Sequence, residues 1–308
     1  MDNQRISFSQ LCDQWWEIDK INLHEVTVQK KENVIRKHIL PYFKDAYVQD
    51  ICDSDIANMV KSELDHGNLS TGGPLCQTSV RRQLDLLKKI FEYAIRKKYI
   101  VDNPAEGIRL KNAPSKVYAV YTHEEVRALI DVARPKWLGD MILLAYQTGM
   151  RRGEIYGLKW EDINFDKRYL HVRRSVSSYA PSNKFITEPK TASSKRIILL
   201  DDATLEMFKR RLVSKNSEWV FANQYGRLMS PWYNVKYFRA ACVKADIPIR
   251  RFHDLRHTHI SNLVKAGINL PLIKMRAGHS SLSTTMIYVH LDNDAQYQIV
   301  DILNSNPV

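Results

Sequence analysis

The sequence predicts a mainly α-helical chain with a small antiparallel β-sheet, arranged as an N-terminal helical bundle followed by an α+β domain. Three observations predict it. Apolar residues recur at helical spacing from residue 7 to about 100, and a proline- and glycine-bearing stretch then breaks the pattern. Beyond the break, helical runs are interrupted by short strand-like segments separated by Ser, Pro and Asn.

The first element, FSQLCDQWWEIDKI, sets Phe8, Leu11, Trp15, Ile18 and Ile21 near helical spacing. A longer amphipathic run, TSVRRQLDLLKKIFEYAIRKKYI, keeps Val80, Leu84, Leu87, Phe91, Ala94 and Ile95 on one stripe. Arg81, Arg82, Lys88, Lys89, Arg96, Lys97 and Lys98 occupy the remainder. Such a run is more often a solvated face than a binding surface. Nine basic residues against four acidic between 76 and 111 tilt it toward DNA. Pro104, Gly107 and Pro114 then mark a linker over 106–121, dividing a helical domain at 1–105 from a second domain at 122–308. Thr122 ends the linker as a helix cap, paired with Glu125 in a capping box. Helices are expected at about 122–134 and 137–149. RYLHVRR, KFITEPK and KRIILL follow as strands, and helices resume from about 201, with Gly267 and Gly278 as C-terminal stops.

Composition narrows the function classes. The 308 residues are 44% hydrophobic and 26% charged, an ordinary globular balance that excludes disordered and fibrous classes. A net charge of +12 favours a polyanionic partner, nucleic acid first and an anionic membrane surface second. No segment approaches the roughly twenty apolar residues of a membrane span, and the N-terminus has no apolar signal core, so a soluble cytoplasmic protein is expected. Cys12, Cys52, Cys76 and Cys242 lack paired spacing and read as free thiols.

The chemistry-bearing residues fall in four stretches. RRFHDLRHTH, residues 250–259, holds three histidines and three arginines. His253, Asp254 and His257 approach the two-histidine pattern of zinc metalloproteases, but with Asp where that motif has Glu and without a third ligand at a recognised spacing. Arg256 shares a helix face with His253, and a guanidinium suits a phosphate better than a dication. The stretch therefore reads as a phosphate site, with His257 and His259 structural or touching a DNA backbone. In TGMRRGEIYGLKWEDI, Gly149 breaks a helix and Arg151 opens the next, where Glu154 can orient it. Read alone, Arg151 and Arg152 are exposed helix-end charges, and Glu154 makes a surface ion pair. Lys190 in EPKTASSKR sits in an apparent turn where most lysines are solvated, yet a hairpin lysine can protonate a leaving oxygen. AGHSSLSTTMIYVH carries His279 and Tyr288, each of which alone reads as a packing residue. The ordered set Arg151, Lys190, His253, Arg256, His279 and Tyr288 changes that balance.

TGMRRGEI, PKTASSKR, HDLRHTHISNLVKAGIN and AGHSSLSTTMIYVH together make the chain resemble the tyrosine recombinases, also called the integrase family. The resemblance covers about residues 120–290, and residues 7–105 are similar to the family's core-binding domain in type, position and length. It implies that Tyr288 is the nucleophile, that Arg151 and Arg256 clamp the phosphate, and that Lys190 protonates the leaving 5′ oxygen. His253 matches the histidine of the His-x-x-Arg motif, His279 the position held by His or Trp, and Glu154 the acid behind the first arginine. Ala277 departs from the leucine usual before Gly-His, a matter of packing more than chemistry.

The resemblance also implies a 3′-phosphotyrosine intermediate and a Holliday junction, without cofactor, ATP or metal. Its partners would be double-stranded DNA with inverted-repeat core sites, three further copies in a homotetramer on two sites, and accessory directionality factors. The DNA would lie in a C-shaped clamp, contacted in the first domain by Arg81, Arg82, Lys88, Lys89, Arg96 and Lys97. The tail DAQYQIVDIL offers Tyr297, Ile299, Val300 and Leu303 as an exchange element for a neighbouring protomer, or as a helix folded onto its own subunit. The core-binding region opens within ten residues, which fits a simple recombinase without arm sites, as Cre and Xer proteins are, or a chain shortened at its start. Integration or excision of a mobile element is the leading function. The rivals are Xer-like resolution of chromosome or plasmid multimers and a non-catalytic DNA-binding relative.

Overall fold

The computed structural model describes residues 5–111, 118–176, 186–187, 195–229 and 233–289. It divides into two compact units, residues 1–115 and 116–308.

The first unit is helical. Helix α1 (Phe8–Asp19) starts at Ser7, whose hydroxyl accepts from Gln10 N–H while Gln10 accepts from Ser7 N–H, a reciprocal cap. It buries Phe8, Leu11, Cys12 and Trp15. The expected stripe stops there, because the chain tightens into a 3₁₀ turn at Lys20–Asn22 and leaves Ile18 and Ile21 55% and 72% exposed. Helix α2 (Glu25–Val34) runs through a π turn at Ile35–Ile39 into α3 (Leu40–Phe43). Pro41 has no N–H for the helical ladder, which accounts for the wider turn just before it. Helices α4 (Asp53–His66) and α5 (Gln77–Arg96) complete the unit. Val80, Leu84, Leu87, Phe91 and Ala94 of α5 are buried as the periodicity predicts, together with Gln83, Leu86, Ile90 and Tyr93, while Ile95 is only half-buried. Phe8 packs against both Phe43 and Phe91.

The second unit begins its described course at Tyr118, inside the stretch the sequence assigns to the linker. Tyr121 is buried there, its N–H donating to Thr258 Oγ1 at 2.9 Å. Thr122 and Glu125 form the expected capping box for α6 (His123–Val132), and α7 (Lys136–Thr148) follows. Gly149 ends α7 in the left-handed region at φ 65°, and α8 (Arg152–Tyr156) starts at once with Arg151 as its N-cap. Strands β1 (Ile163–Asn164), β2 (Tyr169–Val172) and β5 (Arg196–Leu199) form an antiparallel sheet in the order β1-β2-β5. Leu170 pairs with both Ile163 and Ile198. Between β2 and β5, β3 (Ser175–Val176) pairs with β4 (Ile186–Thr187) as a separate antiparallel ribbon. The sequence anticipated β2, β4 and β5 but not β1 or β3, each of two residues.

Helices α9 (Asp202–Val213), α10 (Tyr233–Lys244), α11 (Asp254–Lys265), α12 (Leu270–Ala277) and α13 (Ser283–Met286) complete the unit. Helix α11 lies against α7, and α12 against β5, which brings Arg256 to Gly149 and Gly278 to Arg151. Among the described residues, no helix is long and apolar enough to cross a membrane. Lys190 and the tail 290–308 lie outside the described residues.

Candidate active site

The site is built around Glu154, on the first turn of α8 and 3% exposed. Arg151 donates to it twice, through its backbone N–H to Oε2 at 2.9 Å and its guanidinium to Oε1 at 2.8 Å. Arg196 donates to both carboxylate oxygens, at 3.1 and 2.9 Å. Burial alone would raise the carboxyl's pKa, but Arg196, then Arg151 and Arg256, pull it down to about 2. Glu154 is thus a buried anion with more cations around it than it can neutralise.

Backbone carbonyls fix the arginines. Arg151 reaches across to the Gly278 carbonyl at 2.7 Å, while Arg256 on α11 donates to the Gly149 carbonyl at 2.5 Å. Arg196 donates to the Arg276 carbonyl at 2.6 Å. Two glycines make this geometry possible. Both end a helix at positive φ, and a Cβ on Gly278 would stand 2.8 Å from the Arg196 guanidinium, one on Gly149 2.6 Å from the His259 ring. Arg256 is 3% exposed, and burial first, then Arg151, lower its pKa from the ordinary arginine value.

Four histidines crowd the same region and divide by role. His259 is structural, as the sequence allowed: its Nδ1–H donates to the Tyr146 carbonyl at 2.8 Å, and its Nε2 accepts from Arg276 at 3.2 Å. His279 is buried, its Nδ1 2.8 Å from Thr285 Oγ1, and its ring lies parallel to Tyr288 at 6.4 Å. His253, the N-terminal residue of the α11 cap, is at the surface and meets His257 edge-on at 4.9 Å. His257 is the surprise. Read from sequence as structural or DNA-touching, it places Nδ1 2.5 Å from the Tyr288 hydroxyl.

Enclosure by surrounding protein is the main cause that keeps these rings neutral. It lowers His257 to about 4 despite Asp254, while His253, which reaches the surface yet is still partly desolvated, is lowered to about 4 with His257, Arg256, Arg151 and Arg251 adding to the effect. The same cause, with arginines adding to it, takes His259 and His279 to about 3. Tyr288 is 3% exposed and packs with Ile260, Ile273 and Ala277. Burial raises its pKa to about 12, with Arg256 opposing.

The structure therefore brings Arg151, Glu154, His253, Arg256, His279 and Tyr288 into one cluster. Sequence reading missed Arg196 and His257, although both stand inside quoted motifs. It also missed Tyr118, whose ring stacks on His257 at 3.9 Å. Among the described residues, no group of three or more His, Cys, Asp and Glu is arranged to hold a metal ion.

The basic residues of α5 separate into two kinds. Arg81 donates to the carbonyls of Leu110 and Lys111, and Lys88 to that of Glu106, so both hold the segment that follows the helix. Arg82, Lys89, Arg96 and Lys97 are exposed, the last two over the Tyr93 ring.

Residues 119–295 match the phage integrase family, a stretch that includes every described member of the cluster around Glu154. The chain belongs to that family. Residues 7–64 match the family's N-terminal SAM-like domain. A XerC-like tyrosine recombinase of Caldanaerobacter subterraneus is 25% identical, with 99% of this chain and 84% of the relative covered. The ICEBs1 integrase of Bacillus subtilis is 27% identical over 90% of this chain and 77% of its own length. XerD of Pasteurella multocida reaches 30% identity over 70% of this chain and 72% of that protein. The fold is that of solved integrases. The Tn1549 transposon integrase in complex with a circular intermediate DNA superposes with a TM-score of 0.78 at 19% identity, covering 92% of this chain and 94% of that one. A lambda integrase dimer bound to a core site gives 0.72 at 21% identity, with 93% and 78% covered. As a member of the integrase family, the chain is a tyrosine site-specific recombinase, a DNA strand transferase.

Proposed function

We propose that this recombinase integrates or excises a mobile DNA element, with Tyr288 as its nucleophile. The observation that carries the residue assignment is the convergence on one carboxylate of Arg151, Arg196 and Arg256, beside the buried hydroxyl of Tyr288. Such an excess of fixed cations suits a phosphodiester, whose non-bridging oxygens gain charge as a fifth ligand approaches phosphorus. Arg151 and Arg256 hold those oxygens. Glu154 and the carbonyls of Gly149 and Gly278 fix the guanidinium planes beforehand, so little reorganisation accompanies the reaction.

Tyr288 Oη bonds to phosphorus as its proton passes to a neutral histidine beside it, the bond to the 5′ oxygen breaks, and Lys190 gives that oxygen a proton. The product is a 3′-phosphotyrosine and a free 5′ hydroxyl. Because the ester bond is conserved in the adduct, a 5′ hydroxyl from a second duplex can reverse the step and join the strand to a new partner without ATP. Two such exchanges pass through a Holliday junction on a homotetramer bridging two inverted-repeat core sites. A lambda integrase tetramer bound to a Holliday junction offers the precedent. Residues 1–105 would be the core-binding domain, 106–121 the linker, and 294–303 the exchange tail between protomers. The likeness to the ICEBs1 and Tn1549 integrases favours a mobile element over chromosome resolution.

The test is covalent trapping on a nicked duplex cut from the ends of the element that carries the gene. Wild type is expected to form a protein–DNA adduct stable on a denaturing gel, and Tyr288→Phe none. An undiminished adduct with Tyr288→Phe would remove Tyr288 from its role.

A further inference from the structure

The histidine of the His-x-x-Arg motif, His253, is not the residue that meets the nucleophile. Among the described residues, the hydrogen bond of the Tyr288 hydroxyl is to His257, one turn further along α11. His257 is itself buried. The Tyr118 ring lies nearly parallel to it at 3.9 Å and 26°, and His253 meets it edge-on at 4.9 Å. Tyr118 also lies nearly parallel to Tyr288 at 5.7 Å, so Tyr118, His257, Tyr288 and His279 form a continuous aromatic group.

We propose that His257 is a further residue of the cleavage reaction, holding the Tyr288 oxygen in place through Nδ1, and that Tyr118 is the positioning residue that keeps His257 there. The inference rests on Tyr288 being the nucleophile. A protonated phenol needs an acceptor, and a neutral imidazole supplies one lone pair in the ring plane. The charged neighbours of His257 are Asp254, Arg251 and Arg256, and enclosure keeps the ring neutral among them. Stacking removes the ring's freedom to swing, so Tyr288 is oriented before DNA arrives and its rotors need not be frozen at the phosphate. Tyr118 acts only through its ring, since Phe would stack equally well.

A purely structural pair would change melting temperature and leave turnover alone. The experiment therefore measures single-turnover adduct formation and DNA affinity separately, on the full chain, with the nicked duplex on which wild type forms its adduct. Tyr118→Ala and His257→Ala are expected to lower the rate at saturating DNA by about 10- to 100-fold, the usual cost of misplacing a reacting group, without weakening binding. His257→Asn, whose amide oxygen can take the place of Nδ1, is expected to recover part of that rate, and Tyr118→Phe to match wild type. A DNA-free measurement accompanies it: in nitrogen-15 spectra of labelled histidine, the His257 Nδ1 signal should shift between wild type and Tyr288→Phe. An unshifted signal, an unchanged or faster rate in both alanine variants, or a loss confined to DNA affinity would each overturn the proposal. If His257→Ala does not fold, Tyr118→Ala against Tyr118→Phe decides it. Persistence of the adduct in Tyr288→Phe would overturn the assignment of the nucleophile instead, a separate result.

Discussion

Glu63 in the first unit and Glu154 in the second are both buried carboxylates, yet their surroundings differ in kind. Glu63 accepts from Gln83 at 2.8 Å and Tyr42 at 3.2 Å, and shares a 2.8 Å hydrogen bond with His38. These donors come from α3, α4's neighbour α5 and the π turn, so the carboxylate ties helices together. Glu154 instead accepts from two guanidiniums and feels a third. Burial of an acid is thus no sign of function by itself. What distinguishes Glu154 is the charge left over after it is satisfied, because fixed cations in a crowded site retain an attraction for a further anion.

The largest effect that would sharpen this comparison comes from neutralising each carboxylate in turn. Glu154→Gln leaves buried guanidiniums without their counter-charge. It should cost about 3–5 kcal/mol of stability and lower adduct formation by about 10²- to 10³-fold, on the scale of losing a transition-state charge contact. Glu63→Gln should cost only about 1–3 kcal/mol, with adduct formation at saturating DNA unchanged. Urea unfolding and the trapping gel report both. Equal losses of activity in the two variants would break the distinction.

Acid is the next lever, and its sign follows from the depressed values. Glu154 titrates near 2 in the folded chain against 4.5 ordinarily, so its contribution is complete above 4.5 and fades as pH falls toward 2. His253, His257, His259 and His279 are held neutral with values of about 4, 4, 3 and 3, whereas the unfolded chain protonates them near 6.5. Below 6.5 the unfolded state therefore binds more protons, and stability drops. The urea midpoint of the full chain is expected to fall from pH 7 to pH 4; a constant midpoint would contradict the neutral histidines.

Two glycines offer a smaller contrast between the units. Gly149 has φ +65° and its Cβ would stand 2.6 Å from His259, whereas Gly72 has φ +68° and nothing within 4 Å. Gly72→Ala should cost about 1–2 kcal/mol from left-handed strain alone. Gly149→Ala should exceed it by about 1–3 kcal/mol through overpacking, and a pair of thermal melts would separate them. Smallest is the expected effect of Arg82→Ala, which should leave folding intact and reduce the salt slope of DNA binding by about 1. Arg81→Ala, which loses two bonds to the 110–111 carbonyls, should instead loosen that segment.

Much of the site was legible because its residues sit at short, fixed spacings. Arg151 and Glu154 meet across one helical turn, and the Thr122–Glu125 box is local in the same way. Arg196 was not legible. In RIIL the residues Arg196 and Ile198 face inward while Ile197 and Leu199 are 55% and 66% exposed, the reverse of what hydrophobicity alone would choose. A one-residue change of register would exchange the faces, and only pairing with β2 settles it. The α5 stripe was readable, but not that Arg81 and Lys88 turn back on their own chain.

By itself the sequence determined the helical and strand periods, the caps, the excess of positive charge and the ordered motifs that resemble the integrases, since each depends on residues near one another or on a sum over the chain. Tertiary structure alone decided that Arg196 completes the buried charge cluster, and that His257 rather than His253 meets Tyr288 with Tyr118 behind it. Those contacts join residues 42, 31 and 139 positions apart, respectively Arg196 to Glu154, Tyr288 to His257 and His257 to Tyr118. Contacts at such separations are chosen by how helices and strands pack, which local spacing does not encode.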